Sequence, residues 1–248
     1  MARFFAIDAG SIARQVQRFF AIDASSTARQ IQRAFVIDSS GIARQFYQYF
    51  TGSKVTYNTA GTFTSTIPGG AGSALIEVWG ASGGGGERYS DGAGGGSGGG
   101  GGASGGYAKS TVTFVSSNWG ETMGVIVGAA GVIHSGSGGL SSVMSGSFSV
   151  ATLQGNGGTG GGPGINEGTA GAGGSGGTAF GGNALNVTGD NGSPGQNNAG
   201  GGTGGVGGAG ISGVNGTGAA GGNGGSAVIA PGTAGGAGLV IIQYFAEP

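Results

Sequence analysis

The sequence predicts an all-β protein: an N-terminal antiparallel repeat sheet, followed by a β-sandwich that carries an inserted bundle of extended glycine helices. Three observations lead to this prediction. Residues 4–48 repeat a strand-forming pattern with a period of fifteen, short β-branched and aromatic segments recur up to residue 245, and 68 of the 248 residues are glycine. The chain therefore divides into residues 1–50, which contain the repeats, and residues 51–248, which contain most of the glycines.

The first part contains three copies of one unit. Residues 4–18, 19–33 and 34–48 align without gaps, and each copy has an Asp that opens a serine-containing turn. Asp and Ser favour turns because their side chains bond to the backbone just ahead. Between the turns, residues alternate with the period of a strand. We therefore predict an antiparallel meander with strands near residues 2–7, 12–22, 27–37 and 42–50.

The repeats also carry most of the positive charge. Residues 1–50 have six arginines against three aspartates, whereas the rest of the chain has an excess of acids. This charge is weak and lacks a lysine cluster, so we expect no nucleic acid as a partner. A small sheet with exposed edges needs completion by copies of itself or by another protein. The candidate assembly residues are Arg14, Arg18, Phe20, Arg29, Arg33, Phe35 and Arg44.

Short strand-like segments frame the glycine blocks of the second part. They have the length and the residue content of sandwich strands. Because they lie on both sides of the glycine-rich region, we expect that region to be an insertion into one sandwich. The predicted strands are Lys54–Tyr57, Gly61–Thr66, Ala74–Trp79, Thr111–Val115, Met123–Val127, Ser141–Met144, Phe148–Leu153 and Leu239–Phe245.

The glycine blocks, near residues 80–106 and 155–238, repeat a Gly-Gly-X step. A period of three matches the polyproline-II helix, of which two rows would then be bare backbone. Bare rows allow neighbouring helices to approach closely and to pair amides with carbonyls. Glycine loses the most freedom on ordering, so only a dense, fully paired bundle offsets that cost. The alternative is a secreted or matrix-type chain that stays disordered and shows little protection from hydrogen exchange.

The sequence offers no catalytic or metal-binding constellation. Cysteine is absent, and the single histidine, His134, stands in a Ser/Gly turn. We therefore expect no enzyme activity, no cofactor and no metal site. No apolar run approaches the roughly 18 residues of a membrane span, so no membrane insertion is expected.

The residues that interrupt the glycine blocks are the candidates for binding. Amides, Tyr and Arg on exposed loops suit polar recognition of a sugar or a protein surface. The alternative is that these segments are ordinary connections. The candidates are Arg88, Tyr89, Asn166, Phe180, Asn183, Leu185, Asn186 and Asn197.

The order of segments over residues 60–245 resembles the glycine-rich domain of bacteriophage tail and fibre proteins. The resemblance is carried by LIEVWGA at 75–81 with the glycine run after it, GGYAK at 105–109, VIVGAAG at 125–131 and GLVIIQY at 238–244. The N-terminal units resemble tandem repeats of phage virion proteins. The WGA step is also similar to the glycine-rich domain of the anaplastic-lymphoma-kinase receptor family, a jelly-roll-like sandwich with polyglycine-II helices, although that family has cysteines.

These resemblances imply a jelly-roll-like sandwich with an inserted polyglycine-II bundle, in a virion protein of the tail fibre or tail tip. In adhesins of T-even-like phages, loops between such helices touch the host receptor. The implied partners are other virion proteins and further copies of the chain, as a trimer, for residues 1–50, and a host glycan or outer-membrane protein for the loops. The protein would be made in the host cytoplasm. The alternative is a capsid decoration or cement protein without a receptor role.

Overall fold

Antiparallel strands account for nearly all regular structure in the computed structural model of this chain. The structure describes residues 52–90, 96–166, 168–198, 202–225 and 231–246, and before them the strand backbones of residues 20–22, 28–30, 33–37 and 43–48. Within these residues the sole helical element is a 3-10 turn, Ser116–Asn118. The predicted all-β class is confirmed.

Two hairpins occupy the described part of the repeats. Each consists of two antiparallel strands, and the two hairpins use equivalent positions of the fifteen-residue unit. Phe20 faces Gln30 in the first, just as Phe35 faces Gln45 in the second. Among the described residues the two hairpins form separate two-stranded sheets and not the single meander that was predicted, and the second has a register shift between Ala34 and Phe35. The strands are β1 (Phe20–Ile22), β2 (Ala28–Gln30), β3 (Arg33–Ile37) and β4 (Ala43–Gln48).

The second part of the chain contributes thirteen further strands in the described residues, and all their pairings are antiparallel. They are β5 (Ser53–Tyr57), β6 (Gly61–Thr66), β7 (Ala71–Trp79), β8 (Tyr89–Ser90), β9 (Gly96–Ser97), β10 (Tyr107–Thr113), β11 (Thr122–Val127), β12 (Ser141–Ser145), β13 (Leu153–Gly155), β14 (Ala179–Phe180), β15 (Leu185–Val187), β16 (Asn197–Asn198) and β17 (Leu239–Ala246).

Two five-stranded sheets form the sandwich. Sheet I has the order β15-β10-β7-β17-β5, and sheet II has the order β14-β13-β12-β11-β6. The last strand, β17, lies between β7 and β5. The chain therefore returns to sheet I after its last glycine-rich stretch, although strands of both sheets also lie between the glycine-rich stretches. Three short strands form a separate sheet in the order β16-β9-β8.

The core lies between the two sheets because alternate residues of each strand point to it. In β7, Ile76 and Val78 are buried in a cluster that also contains Val125 and Val143 of sheet II. The hydroxyls of Tyr244 and Ser65 are 2.9 Å apart inside this core, which adds a polar tie between the sheets.

Two of the strands predicted after residue 50 differ most from the observed ones. The strand predicted at Thr111–Val115 runs instead over Tyr107–Thr113. The strand predicted at Phe148–Leu153 is wrong except for its last residue, which begins β13. The reason is a side chain that competes with the ladder: the hydroxyl of Ser145 accepts from the amide of Val150 and donates to its carbonyl, both at 3.0 Å.

Ten extended, glycine-rich segments connect the strands in the described residues. They do not belong to any sheet, yet most of their amides and carbonyls pair with neighbouring segments. We name them g1 (80–86), g2 (98–106), g3 (128–132), g4 (136–139), g5 (156–164), g6 (171–178), g7 (189–196), g8 (202–210), g9 (218–225) and g10 (232–238).

Segments g1 and g2 lie at the centre of the others. From Gly98 to Ser104, successive amides of g2 donate to g7, g9 and g5 in turn, and its carbonyls accept in turn from g6, g8 and g1. Segment g1 likewise donates to g2, g4 and g10 and accepts from g3, g5 and g9. Each central segment therefore has six neighbours. The other eight form a ring in sequence order, which closes where Gly235 of g10 donates to Gly131 of g3 at 2.8 Å.

The central segments are glycine because the neighbouring backbones leave no room for a Cβ. A Cβ at Gly101 would overlap the carbonyl of Val206, and one at Gly102 would overlap the carbonyl of Gly83. Both obstacles are backbone atoms in hydrogen-bonded segments, so neither can move aside like a flexible side chain. Close approach therefore requires glycine at these positions.

On the outside of the bundle, side chains replace missing neighbours. Outer segments lack a backbone partner on one side, and several of their amides donate instead to a side-chain oxygen of the next segment. Such bonds explain the Asn and Thr residues within the glycine blocks. They run from Gly176 to Asn191 Oδ1 (2.8 Å), from Gly207 to Asn223 Oδ1 (2.9 Å) and from Ser175 to Thr159 Oγ1 (2.7 Å).

Candidate functional site

The connections between the glycine segments fall at two ends of the bundle. At one end Gly80 follows β7 directly and donates to Gly106, which precedes β10 (2.9 Å). At the other end Gly86 donates to Gly100 at 2.8 Å. We call the described residues of this second end, away from the sandwich, the tip. They are residues 87–90, 96–97, 132–135, 165–166, 168–170 and 196–198.

The three-stranded sheet β16-β9-β8 ties separate connections together at the tip. Tyr89 faces Ser97 across one ladder, and Ser97 faces Asn197 across the other. The side-chain amide of Asn197 donates to the carbonyl of Gly168 at 2.7 Å, which brings in a third connection. Residues far apart in sequence thus form one surface.

A tight turn completes the tip. His134 and Ser135 both adopt left-handed backbone conformations, with φ of 70° and 73°. Such conformations cost a non-glycine residue roughly 1 kcal/mol or more, so the surroundings must hold them. The imidazole Nδ1 of His134 contacts the carboxylate Oε1 of Glu87, and both side chains are about half exposed. This contact joins the turn to the connection that follows g1.

The tip presents mixed chemistry to solvent. Tyr89, Asn166 and Asn197 are exposed, and so are the apolar side chains of Val132 (67 %) and Ile165 (65 %). Amides and tyrosine give adaptable hydrogen bonding and contact area, and apolar groups beside them add buried area on binding. This arrangement suits recognition of a surface.

The structure brings together four of the eight sequence-predicted binding candidates. The four at the tip are Arg88, Tyr89, Asn166 and Asn197. The other four lie beside the sandwich, at the opposite end of the bundle. They are Phe180 in β14, Asn183, and Leu185 and Asn186 in β15.

Two of the sandwich-end candidates use their side chains to build the fold. Asn183 Oδ1 accepts from the amide of Thr111, and its Nδ2 donates to the same residue's carbonyl, both at 2.9 Å. The side chain thus continues the β15 ladder along β10. Asn186 makes the same pair of bonds to Gly182, both at 3.0 Å, and closes the loop before β15.

For five of the assembly candidates the structure describes only the backbone, and the other two lie outside the described residues. The backbones of Phe20, Arg29, Arg33, Phe35 and Arg44 belong to β1–β4. Arg14 and Arg18 lie outside the described residues, as does the strand predicted near residues 2–7. The assembly role therefore stays a prediction.

Sequence reasoning missed a buried carboxylate on the outer face of sheet I. Glu77 is fully buried and accepts from the Tyr107 hydroxyl (2.6 Å), the Val214 amide (2.7 Å), and the backbone and side-chain amides of Asn215 (2.9 and 2.8 Å). Burial and the hydrogen bond to this carboxylate raise the pKa of Tyr107 above its usual value. The sequence signal was an acid between the apolar residues of a strand.

Glu77 holds a loop, residues 211–217, over the outer face of sheet I. Trp79 stacks on Tyr107 with ring centroids 4.8 Å apart, and its indole N–H donates to the carbonyl of Ile211 at 2.8 Å. Gly213 packs directly against the Trp79 ring. The loop and the carboxylate therefore cover an apolar patch that would otherwise face water.

Reactive groups are sparse in the part of the chain that the structure describes. No three of its His, Cys, Asp and Glu residues are grouped so that they could hold a metal ion. None of its helices is long and apolar enough to span a membrane. Neither the scan of family models nor the search of curated proteins gives a match for this chain.

Proposed function

We propose that this chain is a bacteriophage virion protein of the tail fibre or tail tip, and that its tip contacts the host surface. The observation that carries the proposal is the gathering of four predicted binding candidates, from three separate connections, at the end of the bundle away from the sandwich. Binding residues are commonly found on loops that a rigid framework positions. The framework here is the hydrogen-bonded glycine bundle.

We infer further that the glycine segments are polyglycine-II helices inserted in a jelly-roll-like sandwich. Support comes from the amides of g1 and g2. Successive amides donate to three neighbouring segments in turn, and every third amide donates to the same segment. A three-residue turn is the geometry of the polyproline-II helix. With a rise of about 3.1 Å per residue, the six steps from Gly80 to Gly86 would place the tip about 19 Å from the sandwich.

The bundle offers a physical reason for projecting a binding surface in this way. Ordering glycine is costly, so flexible glycine linkers would spread the tip residues over many conformations. In g1 and g2 the paired backbones offset this cost. The tip connections then begin and end at fixed points, and less ordering remains to oppose binding.

Residues 1–50 would attach the protein to the particle or to further copies of itself. Two-stranded hairpins are marginal alone in water, and each described hairpin pairs with no third strand in the described residues. Completion by other virion proteins or by identical hairpins would stabilise them. The proposed receptor is a host glycan or an outer-membrane protein.

The experiment is an adsorption assay with particles that carry a double substitution at the tip, Tyr89→Ala with Asn166→Ala. A matched control is Val206→Ala, since Val206 is exposed on g8 away from the tip. We expect host adsorption to fall about tenfold for the tip variant, equivalent to about 1.4 kcal/mol of binding, and to stay unchanged for the control.

Incorporation into particles is measured alongside adsorption. If the tip variant is incorporated normally and adsorbs like the parent, the receptor role is wrong. Cryo-EM density for the protein on the head would then favour a decoration protein. Density on the tail would support the tail assignment independently of adsorption.

A further inference from the structure

Strand β6 is an open sheet edge without charge. It is the last strand of sheet II and, among the described residues, pairs with β11 alone. Its sequence, GTFTST, contains neither proline nor a charged residue. Thr62, Thr64 and Thr66 are all exposed. Such an edge offers a row of backbone donors and acceptors to another strand.

The other three edges of the sandwich are protected in ways that natural sheets commonly use. In sheet II, β14 is only two residues long. In sheet I, β15 has three residues, and the Asn183 side chain continues it along β10. The opposite edge strand, β5, carries exposed Lys54. Strand β6 has none of these features and runs for six residues.

The backbone groups of β6 that face outward can be assigned from one contact. The hydroxyl of Tyr57, in β5 of the other sheet, lies 3.5 Å from the carbonyl oxygen of Thr64. That carbonyl therefore points away from β11. Outward and inward groups alternate along an antiparallel strand, so Thr62, Thr64 and Thr66 all direct their amides and carbonyls to the open side.

The threonines of β6 lie symmetrically about Thr64. If two copies of β6 lie antiparallel with Thr64 facing Thr64, then Thr62 faces Thr66 on both sides, and Phe63 faces Ser65. Cross-strand Thr–Thr pairs are favourable, and no like charges meet. The half-buried rings of Tyr57 and Phe63, with centroids 5.2 Å apart, lie beside this edge and would bury further area.

We propose that β6 joins two copies of this chain across a two-fold axis through Thr64, so that sheet II continues from one copy into the other. Each of the three threonine pairs would exchange both of its backbone hydrogen bonds, and the Thr64 carbonyl would then accept from the other copy's amide as well as from the Tyr57 hydroxyl of its own copy. A two-fold contact is isologous and gives a closed dimer. This pairing goes beyond the proposed function. It gives assemblies with an even number of copies, in place of the trimer that the resemblance implies.

The test is disulfide cross-linking of the full chain, which has no cysteine of its own. In the proposed register the two thiols of Thr64→Cys face each other across about 5.5 Å between Cα atoms, within the range that a disulfide spans. Thr62→Cys is the matched control: its two thiols lie four residues apart along the strands, about 13 Å, which is too far.

Under mild oxidation, we expect Thr64→Cys to form a covalent dimer at least about ten times faster than Thr62→Cys. The double variant Thr62→Cys with Thr66→Cys should cross-link as readily as Thr64→Cys, because each new thiol then faces another. Thr64→Lys, which puts two charges face to face, should shift light-scattering mass towards the smaller species. Equal cross-linking of the two single variants, or a mass that Thr64→Lys leaves unchanged, would overturn the two-fold pairing.

Discussion

Replacing Gly101 by alanine tests whether the close approach of the glycine segments stabilises the fold. Gly101 lies in central segment g2, where its amide donates to Ser193 (2.9 Å) and its carbonyl accepts from Gly174 (2.8 Å). A Cβ at this position would overlap the carbonyl carbon and oxygen of Val206. Segment g8, which contains Val206, must therefore move, or g2 must.

The cost can be worked from the bonds between g2 and g8. Segment g8 must retreat by about 1 Å for the new methyl group to reach ordinary contact distance. Gly205 donates to Gly99, and Gly208 donates to Gly102, both at 2.9 Å. A shift of that size takes both bonds beyond hydrogen-bonding distance. Two buried bonds at about 1.5 kcal/mol each give a loss of about 3 kcal/mol in the free energy of unfolding.

The matched control is Gly69→Ala, because a Cβ at Gly69 would meet nothing within 4 Å. We expect Gly69→Ala to leave stability unchanged or raise it by about 0.5 kcal/mol, since alanine restricts the unfolded chain. Gly101→Ala should lower Tm by about 6 to 12 °C. Thermal unfolding followed by tryptophan fluorescence measures both. Equal Tm values for the two variants would refute the argument that g2 requires glycine.

Three further predictions concern side chains outside g2. Glu77→Gln should lower the free energy of unfolding, measured in urea, by about 2 kcal/mol, because the new NH₂ group faces the amide donors of the 211–217 loop. Glu121→Gln is the control and should leave this free energy nearly unchanged. Above pH 10.0, the ordinary tyrosine pKa, stability should fall because the unfolded state loses a proton that Tyr107 retains. Tyr107→Phe should lessen that fall, measured as urea midpoints at about pH 9 and about pH 11. Asn183→Ala should lower the free energy of unfolding by about 1 kcal/mol and speed hydrogen exchange at the Thr111 amide, which loses its acceptor.

The sequence predicted the framework well where one strand can be recognised by its own residues. Gly61–Thr66 was predicted with its observed bounds, because alternating β-branched residues follow a clear turn. Short strands such as Ala179–Phe180 were not predicted, because they exist through pairing with distant residues. Phe148–Leu153 has strand composition, yet Ser145 closes a turn there. Composition does not reveal such competition.

The candidate site was only half predictable for a related reason. The residues that interrupt the glycine blocks look alike in sequence, whether they lie at the tip or beside the sandwich. Which end a connection occupies depends on the direction of its segment, and that follows from the ring of hydrogen bonds. Asn183 and Asn197 are both exposed amides, but the first extends a strand and the second joins two tip connections.

The distribution of side chains within the two central segments indicates how the bundle meets the sandwich. In g1 and g2 the non-glycine residues are Ala81, Ser82, Ala103 and Ser104, all at the sandwich end. At that end g1 continues from β7 and g2 leads into β10, two paired strands of sheet I. The Ser104 side chain is buried there, and its hydroxyl accepts from the amide of Asp190 at 2.8 Å. Towards the tip, residues 83–86 and 98–102 are all glycine, so within g1 and g2 only backbone contacts hold this half of the bundle together.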